Sequence, residues 1–173
     1  MALYLIGTDH DIQHDGKVNR LPRDRASEIR KEFAEYIARI ADQNHVELIA
    51  EECCADILVT YGATTSMPKL AAEAVNIRHA YVDPGNEDRR RLGIPDHNYS
   101  AYPEAKKQEI YCIREKYWME RIAETRCSKV LLICGVLHVS RLMESPKPIG
   151  FDCRVVEKYW GSEHLPPTPR QTT

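Results

Sequence analysis

Residues 130–138 read VLLICGVLH and contain the most apolar run of the 173-residue chain. We interpret Val130 to Cys134 as a buried strand that ends at Gly135. Leu3 to Gly7 is a second apolar run, which also ends in a glycine and is followed by polar residues. Short apolar runs bounded in this way are typical of parallel strands that are buried on both faces. These two segments therefore predict the centre of a parallel sheet.

The segments between the apolar runs predict helices. In residues 24–44, Ile29, Phe33, Ile37 and other apolar side chains recur at spacings of three and four, with Asp24 as a candidate N-cap. Further helices are predicted over 68–75, 104–126 and 138–144, further strands over 46–50, 78–82 and 153–156, and a long surface loop over 85–103. Alternation of strands and helices predicts one α/β domain over residues 1–164, with a mainly parallel, doubly wound sheet, helices on both faces and a flexible tail over 165–173.

Composition excludes several classes of protein. Hydrophobic residues make up 43% and charged residues 29% of the chain, and the formal net charge is -2. There is no broad cationic field for the backbone of duplex nucleic acid, so such a partner is not expected. The run from Val130 to Leu137 is too short to cross a bilayer core of ~30 Å. Asp9 interrupts the N-terminal segment too early for a signal sequence. We therefore expect a cytoplasmic protein without a membrane partner. The six cysteines form no CxxC pair, which favours reduced and mostly buried thiols.

Polar residues follow the predicted strands, and the carboxyl ends of parallel strands form the edge where ligands bind. Two strands end in the same GxxH spacing, which places a histidine three residues after each glycine. Each histidine alone has an ordinary structural explanation, but two of them beside paired carboxylates suit a divalent metal ion. Alternation sends Glu51 and Glu52 to opposite sides of the sheet, and we favour Glu51 as the residue that points into the site. The strand ends supply Asp9, His10, Gln13, Glu51, Glu52, Asp83 and His138.

Two arginine positions add to this candidate site. Arg114 and Arg121 fall on the apolar arc of the helix predicted over 104–126, where a guanidinium needs a carboxylate partner or a bound anion. The N-terminal half of that helix lies nearer the functional edge, so Arg114 is the site candidate and Arg121 is structural. A buried pair between Arg114 and Glu51 or Glu52 is the alternative explanation. The basic run that begins at Arg89 is either a solvated charge cluster or a lid over an anionic substrate.

The pattern resembles the superfamily that joins TIKI and TraB-type proteins, erythromycin-esterase-like proteins and haem-binding ChaN proteins. The matching pieces are residues 7–10, 46–52, 114–119 and 135–138, which span most of the chain. The resemblance implies an active site formed by His10, Glu51, Arg114 and His138, with metal-dependent hydrolysis in some members. The chain has no counterpart of the additional helical regions that shape the cleft in larger members, which leaves the substrate open.

The leading prediction is a hydrolase that acts on an unidentified small-molecule substrate, with an anion as one candidate. His10, Glu51 and His138 would hold a divalent cation (Mn, Co or Zn) that activates a bound water, Glu52 would accept the proton, and Arg114 would stabilise the developing anion. Without metal, His10 would be the general base. Gln13, Asp83 and Arg89 are predicted to bind the substrate. The rival prediction is a non-catalytic binding module for haem or a small metabolite, and an interaction protein that uses the loop over 85–103 is a third.

Overall fold

The computed structural model describes residues 1–17, 20–95, 99, 101–144 and 150–166. In chain order the elements are β1 (Ala2–Thr8), α1 (His10–Gln13), α2 (Ala26–Gln43), β2 (Leu48–Glu51), α3 (Ala55–Tyr61), α4 (Met67–Ala74), β3 (Arg78–Tyr81), α5 (Asn86–Leu92), α6 (Glu104–Glu124), β4 (Lys129–Gly135), α7 (Val136–Glu144), β5 (Asp152–Glu157) and a 3-10 turn (Ser162–His164).

The five strands form one all-parallel sheet in the order β3-β2-β4-β1-β5. The two most apolar strands, β1 and β4, are neighbours near its centre, and Leu3 pairs with Val130. The predicted α/β class with a parallel sheet is therefore confirmed. Because all strands run the same way, the residues that follow β1, β2, β3 and β4 meet at one edge.

Helices cover both faces of the sheet, as predicted. On one face, Ile29, Phe33 and Ile37 of α2 are completely buried against a cluster that includes Ile6 and Ile49 of the sheet. On the other face, α6 and α7 bury their apolar side chains, Trp118 and Ile122 among them, against the alternate residues of the same strands. Full burial of an aliphatic or aromatic side chain contributes about 1.5–3 kcal/mol, so these two layers hold the sheet between them.

Three short helices, α1, α3 and α5, were not predicted. Helix α5 lies in the segment predicted as an irregular surface loop, which is wrong for residues 86–92. The predicted N-cap Asp24 is also wrong, because α2 follows Arg25 and has no side-chain cap. Helix α4 begins after Ser66, whose side chain accepts a hydrogen bond from the Lys69 N–H.

The thiol prediction is confirmed, because all six cysteines are free and only Cys112 is exposed. Leu165, which was assigned to the flexible tail, is instead buried against the α2 side of the core. The remainder of that predicted tail, residues 167–173, lies outside the described residues, as do residues 96–98 and 100 of the predicted loop. No helix in the described part of the chain combines the length and the apolar character needed to cross a membrane.

Candidate active site

A cavity of about 300 Å³ opens at the edge of the sheet where the strands end. The segments after β1, β2 and β4, together with α3 and α6, form its walls. Its lining includes His10, His14, Glu52, Arg114 and His138. Cys53 also lines it, but burial raises the pKa of this thiol, so it is not a thiolate nucleophile.

Glu52 lies at the centre of the site. Its Oε1 accepts a hydrogen bond of 2.6 Å from Arg114 Nη2, and its Oε2 accepts one of 2.7 Å from the backbone N–H of Gly135. Burial opposes ionisation, but the positive charges of His138 and Arg114 outweigh it and hold the pKa of Glu52 well below its ordinary value. Glu52 is therefore a fixed carboxylate at neutral pH rather than a proton acceptor.

His138 reaches the same carboxylate from α7. Its Nε2 lies 3.4 Å from Glu52 Oε1, and its Nδ1–H donates a bond of 2.6 Å to Glu115, which also binds Arg141. Burial disfavours the charged ring, but the charge of Glu52 and the bond to Glu115 outweigh it and raise the pKa of His138 to about 9. The ring is consequently an imidazolium at neutral pH, with a proton on both nitrogens.

His10 also approaches Glu52, with its Nε2 3.9 Å from Oε1 and 52% of its side chain exposed. Its orientation depends on Gln13, whose amide N–H groups donate to Glu51 Oε2 at 2.9 Å and to the backbone carbonyl of Glu52 at 3.3 Å. Both of those partners are acceptors, so the amide oxygen of Gln13 must face His10 Nδ1, at 3.0 Å. Nδ1 must then carry the proton in the neutral ring, which leaves Nε2 as a bare lone pair at the cavity.

The preference for Glu51 as the inward-facing acid is wrong. The alternation along β2 holds, but Glu51 points to the α2 and α4 side, where it is fully buried. Its carboxylate accepts hydrogen bonds from Ser66 and Gln13 and lies 2.7 Å from His79 Nε2. Glu52 is the acid that the fold brings to His10, Arg114 and His138, and Glu51 acts on His10 only through Gln13.

The predicted substrate contact of Asp83 is also not supported by the geometry, whereas Arg89 does line the cavity. Asp83 is buried and accepts hydrogen bonds from Arg89, Arg114 and Trp118 at 2.6–2.8 Å. Arg89 is 1% exposed, so it is neither a solvated charge nor a lid, although Arg90 and Arg91 of the same run are exposed. Arg114 bridges Asp83 and Glu52, which is the alternative considered from the sequence, and Arg121 pairs with Glu124 at the surface.

The predicted metal ligands do not form a suitable donor set. Glu51 is on the far side of β2, so it cannot bind the same ion as His10. Across the described ranges, no group of three or more His, Cys, Asp or Glu side chains is arranged to hold a metal ion. We therefore derive no step through a metal.

Two further residues belong to the site: Gly135, which the GxxH spacing had marked as a strand-end glycine, and His14, which was missed in the sequence. A Cβ atom on Gly135 would lie 3.3 Å from Glu52 Oε2 and 3.8 Å from His10 Nε2, so this glycine keeps the centre of the site open. His14 is 2% exposed and lines the cavity, and neither of its ring nitrogens has a hydrogen-bond partner within the described residues. Burial, with the nearby His10 and Arg30, lowers the pKa of His14 to about 4, so its ring is neutral. The GxxH repeat identified Gly135, whereas no sequence signal identifies His14.

Comparisons of the chain with protein-family models, with curated proteins and with solved structures find no match in any of the three. The resemblance to the TIKI, erythromycin-esterase-like and ChaN superfamily thus stays a prediction. The functional argument that follows rests on the geometry of the site alone.

Proposed function

We propose that this protein is a metal-independent hydrolase that cleaves an acyl ester or lactone of a small uncharged molecule, with His10 as the general base. The observation that carries the proposal is the state of His10. The His10 ring lines the cavity with half of its side chain exposed, and Gln13 fixes the ring by accepting a hydrogen bond from Nδ1, which leaves Nε2 with the lone pair in the neutral ring. A general base needs this combination of a free lone pair, access to water and a fixed ring.

In this reaction, His10 Nε2 removes a proton from a water molecule, and the oxygen of that water attacks the acyl carbon. In this mechanism the His138 Nε2–H, which lies 3.4 Å from Glu52 Oε1, stabilises the oxyanion that forms. When the tetrahedral intermediate collapses, His10 returns its proton to the leaving alkoxide, and the products are a carboxylic acid and an alcohol.

Glu52 contributes without taking a proton. Its negative charge lies close to His10 Nε2 and stabilises the imidazolium that forms when His10 accepts the proton. Arg114 holds this carboxylate in place through the 2.6 Å bond. Glu52 and Arg114 are therefore positioning residues in this mechanism.

The charges around the cavity favour an uncharged substrate over a phosphate ester or another anion. The guanidinium groups of Arg89 and Arg114 are already paired with Asp83 and Glu52. The carboxylate of Glu52 would repel a dianionic phosphoryl group more strongly than the single negative charge that develops on an acyl oxygen. Ile57, Val136 and Leu137 supply apolar lining for the body of a neutral molecule.

The test is hydrolysis of p-nitrophenyl butyrate, γ-butyrolactone and p-nitrophenyl phosphate by the wild type and by His10→Asn. Asparagine keeps a donor near the position of Nδ1 and removes Nε2. We expect turnover of the ester or the lactone but not of the phosphate, and a loss of about 10²–10⁴-fold in the variant, which is the usual contribution of a general base. The matched control is His45→Asn, because His45 is exposed, precedes β2 at the opposite edge and has a φ of 52° that asparagine tolerates.

Full turnover in His10→Asn would overturn the proposal. Binding of the ester without turnover would instead support the rival prediction of a binding module. Its haem version is tested by adding haem to the wild type, because histidine ligation would give a sharp Soret band that His10→Asn should lack.

A further inference from the structure

Glu51 is a buried carboxylate that takes no direct part in the mechanism above. It is completely buried, on the side of β2 that faces away from the cavity. Burial of a charge is unfavourable unless hydrogen-bond donors surround it, and an apolar side chain of similar size is often no less stable in such a place. The contacts of Glu51 therefore indicate its role better than its stability does.

The two carboxylate oxygens of Glu51 have different partners. Oε1 accepts a hydrogen bond from the Ser66 hydroxyl and lies 2.7 Å from His79 Nε2. Oε2 accepts a hydrogen bond of 2.9 Å from the side-chain amide of Gln13, which is itself 1% exposed. The same amide nitrogen also donates to the backbone carbonyl of Glu52, at the longer distance of 3.3 Å. The contact with Glu51 is the stronger of the two, because it is shorter and its acceptor is charged.

We propose that Glu51 is a positioning residue, which acts through Gln13 to decide which ring nitrogen of His10 carries the proton. A carboxylate can only accept hydrogen bonds, so Glu51 turns the amide N–H groups of Gln13 towards itself. The amide oxygen then faces His10 Nδ1, at 3.0 Å, and holds the proton of the neutral ring there. Nε2 is left with the lone pair that a base at the cavity needs. The catalytic consequence of this relay rests on the function proposed above.

The test is Glu51→Gln, because glutamine keeps the shape of the side chain and replaces one acceptor by a donor. Ser66 and His79 both contact the position of Oε1, so we expect the new amide oxygen there and the new N–H groups towards Gln13. Gln13 should then rotate its own amide, present its N–H groups to His10 Nδ1 and move the proton of the neutral ring to Nε2. Long-range ¹H–¹⁵N NMR spectra of the histidine rings distinguish the two tautomers, and His10→Asn identifies the signals of His10. The expected tautomer is Nδ1–H in the wild type and Nε2–H in the variant.

Ester turnover should follow the tautomer. In Glu51→Gln, kcat for p-nitrophenyl butyrate should fall by about 10²-fold or more with little change in KM, because the contribution of the general base is lost. Adding Gln13→Glu exchanges the two side chains, so that a carboxylate again accepts from His10 Nδ1, and the double variant should regain the Nδ1–H tautomer and turnover. The matched control is Glu47→Gln, which makes the same substitution at an exposed position before β2, where the carboxylate accepts hydrogen bonds from Ser128. The control should change neither the tautomer nor kcat.

The NMR measurement needs no substrate, so the relay and the hydrolase proposal can fail separately. An unchanged Nδ1–H tautomer in Glu51→Gln, or no rescue by the added Gln13→Glu, would overturn the relay even if the wild type hydrolyses the ester. A tautomer that switches and is then restored supports the relay even if no ester is cleaved, in which case the hydrolase proposal fails. Gln13→Leu replaces Glu51→Gln if the latter does not fold: His10 should lose its preference for Nδ1–H, and a ring that keeps this tautomer would count against the relay.

Discussion

The charge on His138 makes the stability of the fold depend on pH in a defined window. Its folded-state pKa is raised from 6.5 to about 9, so between these values the folded protein binds a proton that the unfolded chain has released. Stability is then complete below pH 6.5 and is lost as the pH rises towards 9. The raised pKa corresponds to roughly 3 kcal/mol of unfolding free energy, and 4% exposure of the residue means that solvent screening reduces it little.

The perturbation that isolates this effect is His138→Asn, which keeps a donor towards Glu115 and removes the titratable charge. Urea unfolding at pH 6.5 and at pH 9 should show a decrease of roughly 2–3 kcal/mol for the wild type. The variant is less stable at pH 6.5, partly because it loses ring contacts with Trp118, but its stability should be nearly independent of pH across the window. His14 does not obscure the comparison, since its pKa of about 4 leaves it neutral throughout.

The decisive quantity is the change in unfolding free energy between pH 6.5 and pH 9, rather than the absolute stability of either protein. If the wild type and His138→Asn lost the same free energy of unfolding between the two pH values, His138 would not be the group that titrates. The assignment of His138 as an imidazolium would then be refuted. The oxyanion-stabilising role proposed for His138 would fail with it.

Two further predictions concern the centre of the site. Gly135→Ala places a methyl group 3.3 Å from Glu52 Oε2, so we expect it to cost about 1–3 kcal/mol of stability and to lower ester turnover by at least about 10²-fold. In the control Gly7→Ala, the methyl group meets the backbone carbonyl of Lys158, which should chiefly destabilise the sheet. Turnover and thermal unfolding are measured for both variants. Turnover equal to wild type in Gly135→Ala would contradict the assigned reaction centre. Dialysis against EDTA should leave turnover unchanged, and a loss that Mn²⁺, Co²⁺ or Zn²⁺ restores would require the metal-dependent mechanism instead.

The sheet was predictable because its signal is strong and local. The apolar runs at Leu3 to Gly7 and Val130 to Cys134 correspond to β1 and β4 within one residue at each end. Helices α2 and α6 were found for the same reason, since each repeats its apolar spacing over several turns. Helices α1, α3 and α5 have four to seven residues, too few for a periodic pattern to distinguish them from a loop.

The choice between Glu51 and Glu52 shows where sequence reasoning ends. Alternation correctly placed the two acids on opposite sides of β2. Which side holds the cavity depends on where α6 and α7 pack, because these helices carry Arg114 and His138, and no pattern within residues 46–52 contains that information. Arg89 was misread for a related reason, since its burial depends on Asp83 and not on the neighbouring arginines.

The two GxxH motifs have identical spacing but different physical origins. In the pairing of β1 with β4, Gly7 lies opposite Cys134, and Gly135 lies opposite Thr8, so the motifs are offset by one residue. Gly7 is required because the chain near Lys158 passes against it, while Gly135 leaves room beside Glu52. The offset also separates the two histidines: His10 begins a short helix at the mouth of the cavity, and His138 is buried in the first turn of α7. One ring therefore remains accessible to water and uses a free lone pair, while the other is enclosed by two carboxylates and keeps its proton. The proposed hydrolysis requires both roles, a base and a hydrogen-bond donor, at one reaction centre. The two histidines can fill these roles because both approach the same carboxylate, Glu52.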